Sequence, residues 1–271
     1  MRSLPLPPVS RPPRLAAGRA RALGLPTRGT TNPNRLRRMD NWVAGTLGGW
    51  LRAQEDALVV DLGFGASPVT TVELSARLPG VRVLGLEIDP VRVDAATPAA
   101  DPPRLSFARG GFELAGTRPT LVRAANVLRQ YDEPAALAAW RVLQRSIDPA
   151  GRIIDGTCDE VGRRACWVLL DRQRPLTLTL ACRVSAIDRP GELAERLPKA
   201  LIHHNVPSQP VHALLADLDL AWNAAAPLAP FGARQRWIAA CTRVAAQWPV
   251  RHRSRFRYGE LTVDWDAVAP S

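Results

Sequence analysis

Short apolar runs alternate with stretches of helical period between residues 57 and 158, and that alternation leaves few folds open to the chain. ALVVDLG, RVLGLEI, LSFARG, TLVRAAN and GRIIDGT read as strands, with helices predicted over SPVTTVELSARL, PVRVDAA and EPAALAAWRVLQRSI. Ahead of them, NRLRRMDNWVAGTLGGWLRAQ places Leu36, Met39, Trp42, Val43, Leu47 and Trp50 near helical spacing, which predicts an amphipathic helix. Strand and helix in turn make a parallel sheet covered on both faces, with ligands at the carboxyl ends of the strands.

After Cys158 the alternation weakens. ACWVLL and LTLTLACRV flank the turn-like DRQRP and predict an antiparallel pair. Helices are expected around GELAERLPKALI, PVHALLADLDLAWNAAA and ARQRWIAACTRVAAQW, and a strand pair about a glycine turn in RHRSRFRYGELTVDW. Residues 1–33 mix Pro, Arg and Gly without a period and read as a mobile basic tail. Residues 34–271 read as one domain, with a ligand-binding core over 34–160 and the remaining elements over 161–271. No window has the roughly 18 apolar residues of a membrane span, and no apolar leader opens the chain, so a cytoplasmic protein is expected. The cysteines Cys158, Cys166, Cys182 and Cys241 lack metal or disulfide spacing and are expected to be buried thiols.

The turn after the first strand, LVVDLGFGASPVTTVEL, is the most informative stretch. A dinucleotide fingerprint needs a third glycine where Pro68 stands. Ser67 is instead expected to cap the next helix, with Pro68 as its first residue. Asp61 sits awkwardly beside a pyrophosphate and suits a cationic ligand better. Glu87 ends the second strand 24 residues beyond Gly63, near the separation of about 20 at which a carboxylate reaches ribose hydroxyls.

With Asp61, Gly63, Gly65 and Ser67 after one strand and Glu87 after the next, the chain resembles the class I S-adenosylmethionine-dependent methyltransferases over roughly residues 41–158. The resemblance implies an α/β, Rossmann-like, seven-stranded, mostly parallel sheet with helices on both faces and an antiparallel C-terminal strand, for which ELTVDW is the candidate. It implies S-adenosylmethionine as cofactor and methyl transfer to an acceptor that is RNA or a small metabolite. The family's adenine acid falls here at Gly111, with Phe112 beside it. After the fourth strand RAANVLRQYDE lacks the motif of DNA amino-methylating enzymes, but Asn126 occupies the strand end where acceptor meets cofactor. Asn126 and Tyr131 are the catalytic candidates, and Asp155 is expected to end the fifth strand on the same rim. No metal is implied. The alternatives are a non-catalytic S-adenosylmethionine-binding or RNA-binding protein on a degenerate fold of this kind, and an NAD-dependent oxidoreductase.

Charge bears on the acceptor. The formal net charge of +11 is mostly Arg, concentrated before Arg38 and between Asp219 and Glu260. If RHRSRFRYG is extended, Arg251, Arg253, Arg255 and Arg257 share one face and His252, Phe256 and Tyr258 the other, an arrangement that could follow RNA phosphates or instead form a solvated edge. His203, His204 and His212 cluster in sequence and offer a base near neutral pH, with no further ligand at metal spacing.

Overall fold

The structure, a computed structural model, describes residues 31–271, so the expectation for the tail up to residue 30 lies outside the described residues. Its sheet contains β1 (Leu58–Leu62), β2 (Arg82–Glu87), β3 (Leu105–Arg109), β4 (Leu121–Ala125) and β5 (Arg152–Cys158). It continues with β6 (Arg164–Leu170), β7 (Pro175–Cys182), β8 (Val250–Arg251) and β9 (Glu260–Asp264). The order is β3-β2-β1-β4-β5-β6-β7-β9-β8, with β1 to β5 mutually parallel and every later pairing antiparallel.

The first five strands lie within a residue or two of their sequence expectation because each apolar run ends at a polar turn. Asp89 caps the helix Pro90–Ala96 by accepting from Val91 N, and Asp132 caps Glu133–Ser146 by accepting from Ala135 N. Both are side-chain N-caps followed closely by proline, a strong start signal.

The expected seven strands are corrected to nine. The chain leaves β5 through a tight turn instead of a helix. Asp159 accepts from the N–H groups of Val161, Arg163 and Arg164 and turns β5 directly into β6. The β6–β7 pair then extends the sheet as expected, and β9, the ELTVDW segment, runs antiparallel to β7 beyond it. The helix expected over GELAERLPKALI is broken before Pro198 into a tight turn Pro190–Arg196 and the short helix Lys199–Ile202, because proline removes a helical N–H.

Each face of the sheet has its own core. One face packs Trp140, Leu143, Leu214, Leu218 and Trp237 from the helices Glu133–Ser146, Pro210–Ala224 and Ala233–Val244. The other packs Met39, Trp42, Leu51 and Leu74 from the N-terminal helices Arg37–Trp42 and Gly48–Arg52 and from Val69–Arg77. A wider turn, Val43–Leu47, joins the two N-terminal helices where one was expected. All four cysteines are buried free thiols. Among the described residues no helix is long and apolar enough to cross a membrane.

Candidate functional site

After β1 the chain crosses to β2 and β3 on one side, and it returns to place β4 and β5 on the other. The carboxyl ends of β1 and β4 therefore diverge into a crevice, the place where open α/β sheets bind ligands. Gly63 and Gly65 form its β1 bank with φ of +70° and +82°. A Cβ at Gly63 would lie 2.9 Å from Val127 Cγ2, so both the backbone conformation and the space require glycine. Gly63 N donates to Leu86 O at 2.7 Å, holding the turn against β2.

Glu87 ties the turn from the next strand. Its Oε2 accepts from Gly65 N at 2.9 Å and its Oε1 from Ile88 N at 2.9 Å, with Arg92 3.7 Å away. Ser67 Oγ faces Val69 N at 3.4 Å, but the helix begins at Val69 with Pro68 as its cap, one residue later than expected. Such one-residue shifts at helix ends are ordinary.

The cation that Asp61 faces is Arg123 of the chain itself. Asp61 is buried on β1, and its carboxylate accepts from Arg123 Nε at 3.0 Å and from Thr71 Oγ1 at 2.6 Å. Arg123, on β4 and fully buried, also donates to Asp40 and to the Thr70 carbonyl. Burial pushes the Asp40 carboxyl up to about 6 against the opposing pull of Arg123. This Asp40–Arg123–Asp61 cluster was missed by sequence reasoning. Its signal was present: an arginine inside the apolar run TLVRAAN, and an aspartate on the apolar face of the first helix.

On the β4 bank, Asn126 is left-handed at φ 61°, a conformation asparagine tolerates better than most residues. Its Oδ1 accepts from Cys158 N at 2.9 Å and its Nδ2 reaches Cys158 Sγ at 3.2 Å, which locks the end of β4 to that of β5. Tyr131 follows the tight turn Leu128–Gln130, and its ring centre lies 5.8 Å from that of Phe112. Gly111 N donates to its neighbour Glu113 at 2.6 Å.

Residues 31–35 cross above the crevice. Thr31 Oγ1 donates to Phe64 O at 3.1 Å, Asn34 N to Glu73 Oε1 at 2.8 Å, and Arg35 Nε to Asp159 O at 3.1 Å. Beneath this strap lies a cavity of about 60 Å³, lined by Asp61, Gly63, Gly65, Asn126 and Gln130 among others.

Several expected site residues lie elsewhere. Asp155 does not end β5 on the rim but sits at its centre, 1% exposed, accepting from Trp140 Nε1 at 2.9 Å. The stretch RHRSRFRYG is not an extended row of guanidinium groups: only Val250–Arg251 is strand, and Arg253–Tyr258 is a helical turn begun by left-handed His252. Arg251 pairs with Asp264 at 2.7 Å and Arg255 with Glu260 at 2.7 Å, acids of the following strand. Arg253 donates to Ala245 O at 3.0 Å, and Arg257 lies over the Tyr258 ring. His204 Nε2 meets Glu133 at 2.7 Å and His212 Nδ1 faces Asn205 at 3.2 Å, so the three histidines do not converge on the crevice banks.

No family model matches the chain, and no curated protein does. Solved structures do match parts of it. One is LepI in complex with SAM, at 23% identity over 41% of this chain and 29% of that one, with a TM-score of 0.34. The mitomycin 7-O-methyltransferase MmcR matches at 20% identity over 45% and 38%, with a TM-score of 0.33. Magnesium protoporphyrin IX methyltransferase from Synechocystis PCC 6803, with bound SAH, matches at 22% identity over 52% and 67%, with a TM-score of 0.35. The chain spans about a third of the length of the first structures it matches.

Proposed function

We propose that this chain is an S-adenosylmethionine-dependent methyltransferase whose cofactor lies in the crevice between β1 and β4. The observation that carries this reading is the pairing of Gly65 N with the Glu87 carboxylate at the point where the strand order reverses. A glycine turn and an acidic strand end held 2.9 Å apart form a cradle for a nucleoside.

The residues present fit such a ligand. Glu87 Oε2 accepts from Gly65 N, and the second lone pair of that carboxylate oxygen is an acceptor position for a ribose hydroxyl. Gly63 and Gly65 let the backbone approach closely, and Ser67 closes the turn behind them. Asp61 serves as the anchor of that turn through Arg123 and Thr71, not as a partner for a charged ligand. Half-buried Phe112, next to Gly111, supplies an apolar wall for an adenine ring.

The bound sulfonium supplies an already activated methyl group. The protein's part is then mainly alignment, which contributes up to about 7–11 kcal/mol. Asn126, rigid at the end of β4, retains one amide N–H beyond that on Cys158 and orients the acceptor's nucleophile; Tyr131 lines the same side. Residues 34–160 carry the cofactor and 161–271 the acceptor, which is RNA or a small metabolite. Four buried thiols suit the reducing cytoplasm.

A second reading, a non-catalytic S-adenosylmethionine or RNA binder on the same fold, is favoured by the engagement of the Asn126 amide with Cys158 at both ends. Calorimetric titration with S-adenosylhomocysteine, with NADH as control, tests the cofactor. Transfer of labelled methyl into RNA or metabolite pools then separates enzyme from binder. Binding of NADH alone would overturn both readings.

A further inference from the structure

A second and larger cavity, about 620 Å³, opens at the end of β7. It lies where β7 finishes at Cys182, where the helix Ala233–Val244 begins and where Tyr258 leads into β9. Cys182 pairs in register with Arg164, next to Ala165 opposite Cys158, so this cavity shares its rim with the crevice. From β4 it is three strands away, roughly 14 Å at the usual strand spacing.

Its lining is cationic. Arg38, Arg183, Arg234 and Arg257 border it, and no Asp or Glu does. Among the described residues none of the four forms an ion pair with a carboxylate, and residues 1–30 contain no Asp or Glu to supply one. Arg38 donates to Gly162 O and Tyr258 O and feels Glu260 and Asp159, whereas Arg183, Arg234 and Arg257 have no carboxylate beside them among the described residues, so the concavity keeps a positive field. The helix Ala233–Val244 adds its first turn, which no side chain caps. Phe231, 74% exposed, stands at the mouth with its ring open to solvent.

We propose that this cavity binds the phosphate of a nucleotide, with the base stacked on Phe231. Arginine forks match phosphate oxygens, and an exposed ring beside them is what a base requires. The site stands independently of the methyltransferase reading, but a nucleotide held here would place its neighbours within reach of the crevice.

The test titrates the full chain with inorganic phosphate, AMP and a single-stranded oligouridylate, alongside the variants Arg183→Ala/Arg234→Ala and Phe231→Ala. These side chains are exposed, so the fold is kept. AMP should bind more tightly than phosphate, and Phe231→Ala should abolish that difference. The double arginine variant should weaken AMP by about tenfold or more, and should flatten the salt dependence of oligouridylate binding by about 0.7 per arginine. S-adenosylhomocysteine affinity should be unchanged in both variants, which separates this site from the crevice. Equal affinity of the wild type and the arginine variant for AMP and oligouridylate, or equal affinity for phosphate and AMP, would overturn the proposal.

Discussion

Arg123 and Asp61 meet inside the sheet, Nη2 to Oδ2 at 2.7 Å and Nε to Oδ1 at 3.0 Å, with both side chains closed off from water. Asp40, from the N-terminal helix, closes the other side of the same guanidinium. Replacing Arg123 by Met leaves two buried carboxylates without their cation. We expect a loss of about 3–5 kcal/mol in urea denaturation. The loss should be smaller at pH 5 than at pH 8, because Asp40, held near 6, takes up a proton in the acidic range.

Asp155 makes a second pH prediction. Its Oδ2 accepts from Trp140, its Oδ1 has no hydrogen-bond partner among the described residues, and burial pushes the carboxyl up to about 7. In the unfolded chain the carboxyl loses its proton near the ordinary value of about 3.9. Between those values the folded state binds more protons, so this contribution to stability is full below about 4 and is lost as pH rises through 7. Asp155→Asn should remove that share of the slope, a few kcal/mol between pH 4 and pH 8, and leave in both proteins the share due to Asp40. Parallel denaturation midpoints for both proteins across this range would sink the assignment.

At Gly63, alanine must adopt a left-handed backbone and push against Val127. The conformational part alone costs about 1–2 kcal/mol. Gly63→Ala should therefore lower the melting temperature, and in a Val127→Ala background it should cost the conformational share only. An equal cost in both backgrounds would mean that Val127 moves aside without cost.

Glu87→Ala should weaken S-adenosylhomocysteine about 10- to 100-fold in calorimetry, the scale of hydrogen bonds to a charged group. The same variant frees Gly65 N, so Glu87→Gln, which keeps an acceptor, should retain the turn and lose less. Unchanged affinity in Glu87→Ala would remove the ribose role.

What the sequence disclosed follows from the range of the forces involved. The strands β1 to β5 and the helix Glu133–Ser146 were legible because burial on both faces writes apolar runs and helix capping writes Asp before Pro. The crevice banks at Gly63 and Asn126 follow from that alternation. Arg123 reads as strand, but its partners lie 62 and 83 residues away in sequence, and only folding brings them together. RHRSRFRYG misleads for the same reason: Asp264 and Glu260, which neutralise Arg251 and Arg255, belong to the next strand, and the left turn at His252 overrides the two-residue period. The β5–β6 turn was written locally in the Asp159–Gly162 stretch, yet the family resemblance favoured seven strands over it.

The strap from Thr31 to Arg35 bears on how fast the crevice could exchange a ligand. Small-molecule sites occupy about 300–1,000 Å³, whereas about 60 Å³ lies beneath this strap. On the proposed reading, a ligand entering or leaving would have to break the strap's bonds to Phe64, Glu73 and Asp159, which belong to three separate elements. On the same reading, Glu87 and the glycines would set occupancy at equilibrium. A clasp near the start of the fold would set how long one molecule stays before the next replaces it, so residence and affinity would be tuned by different residues.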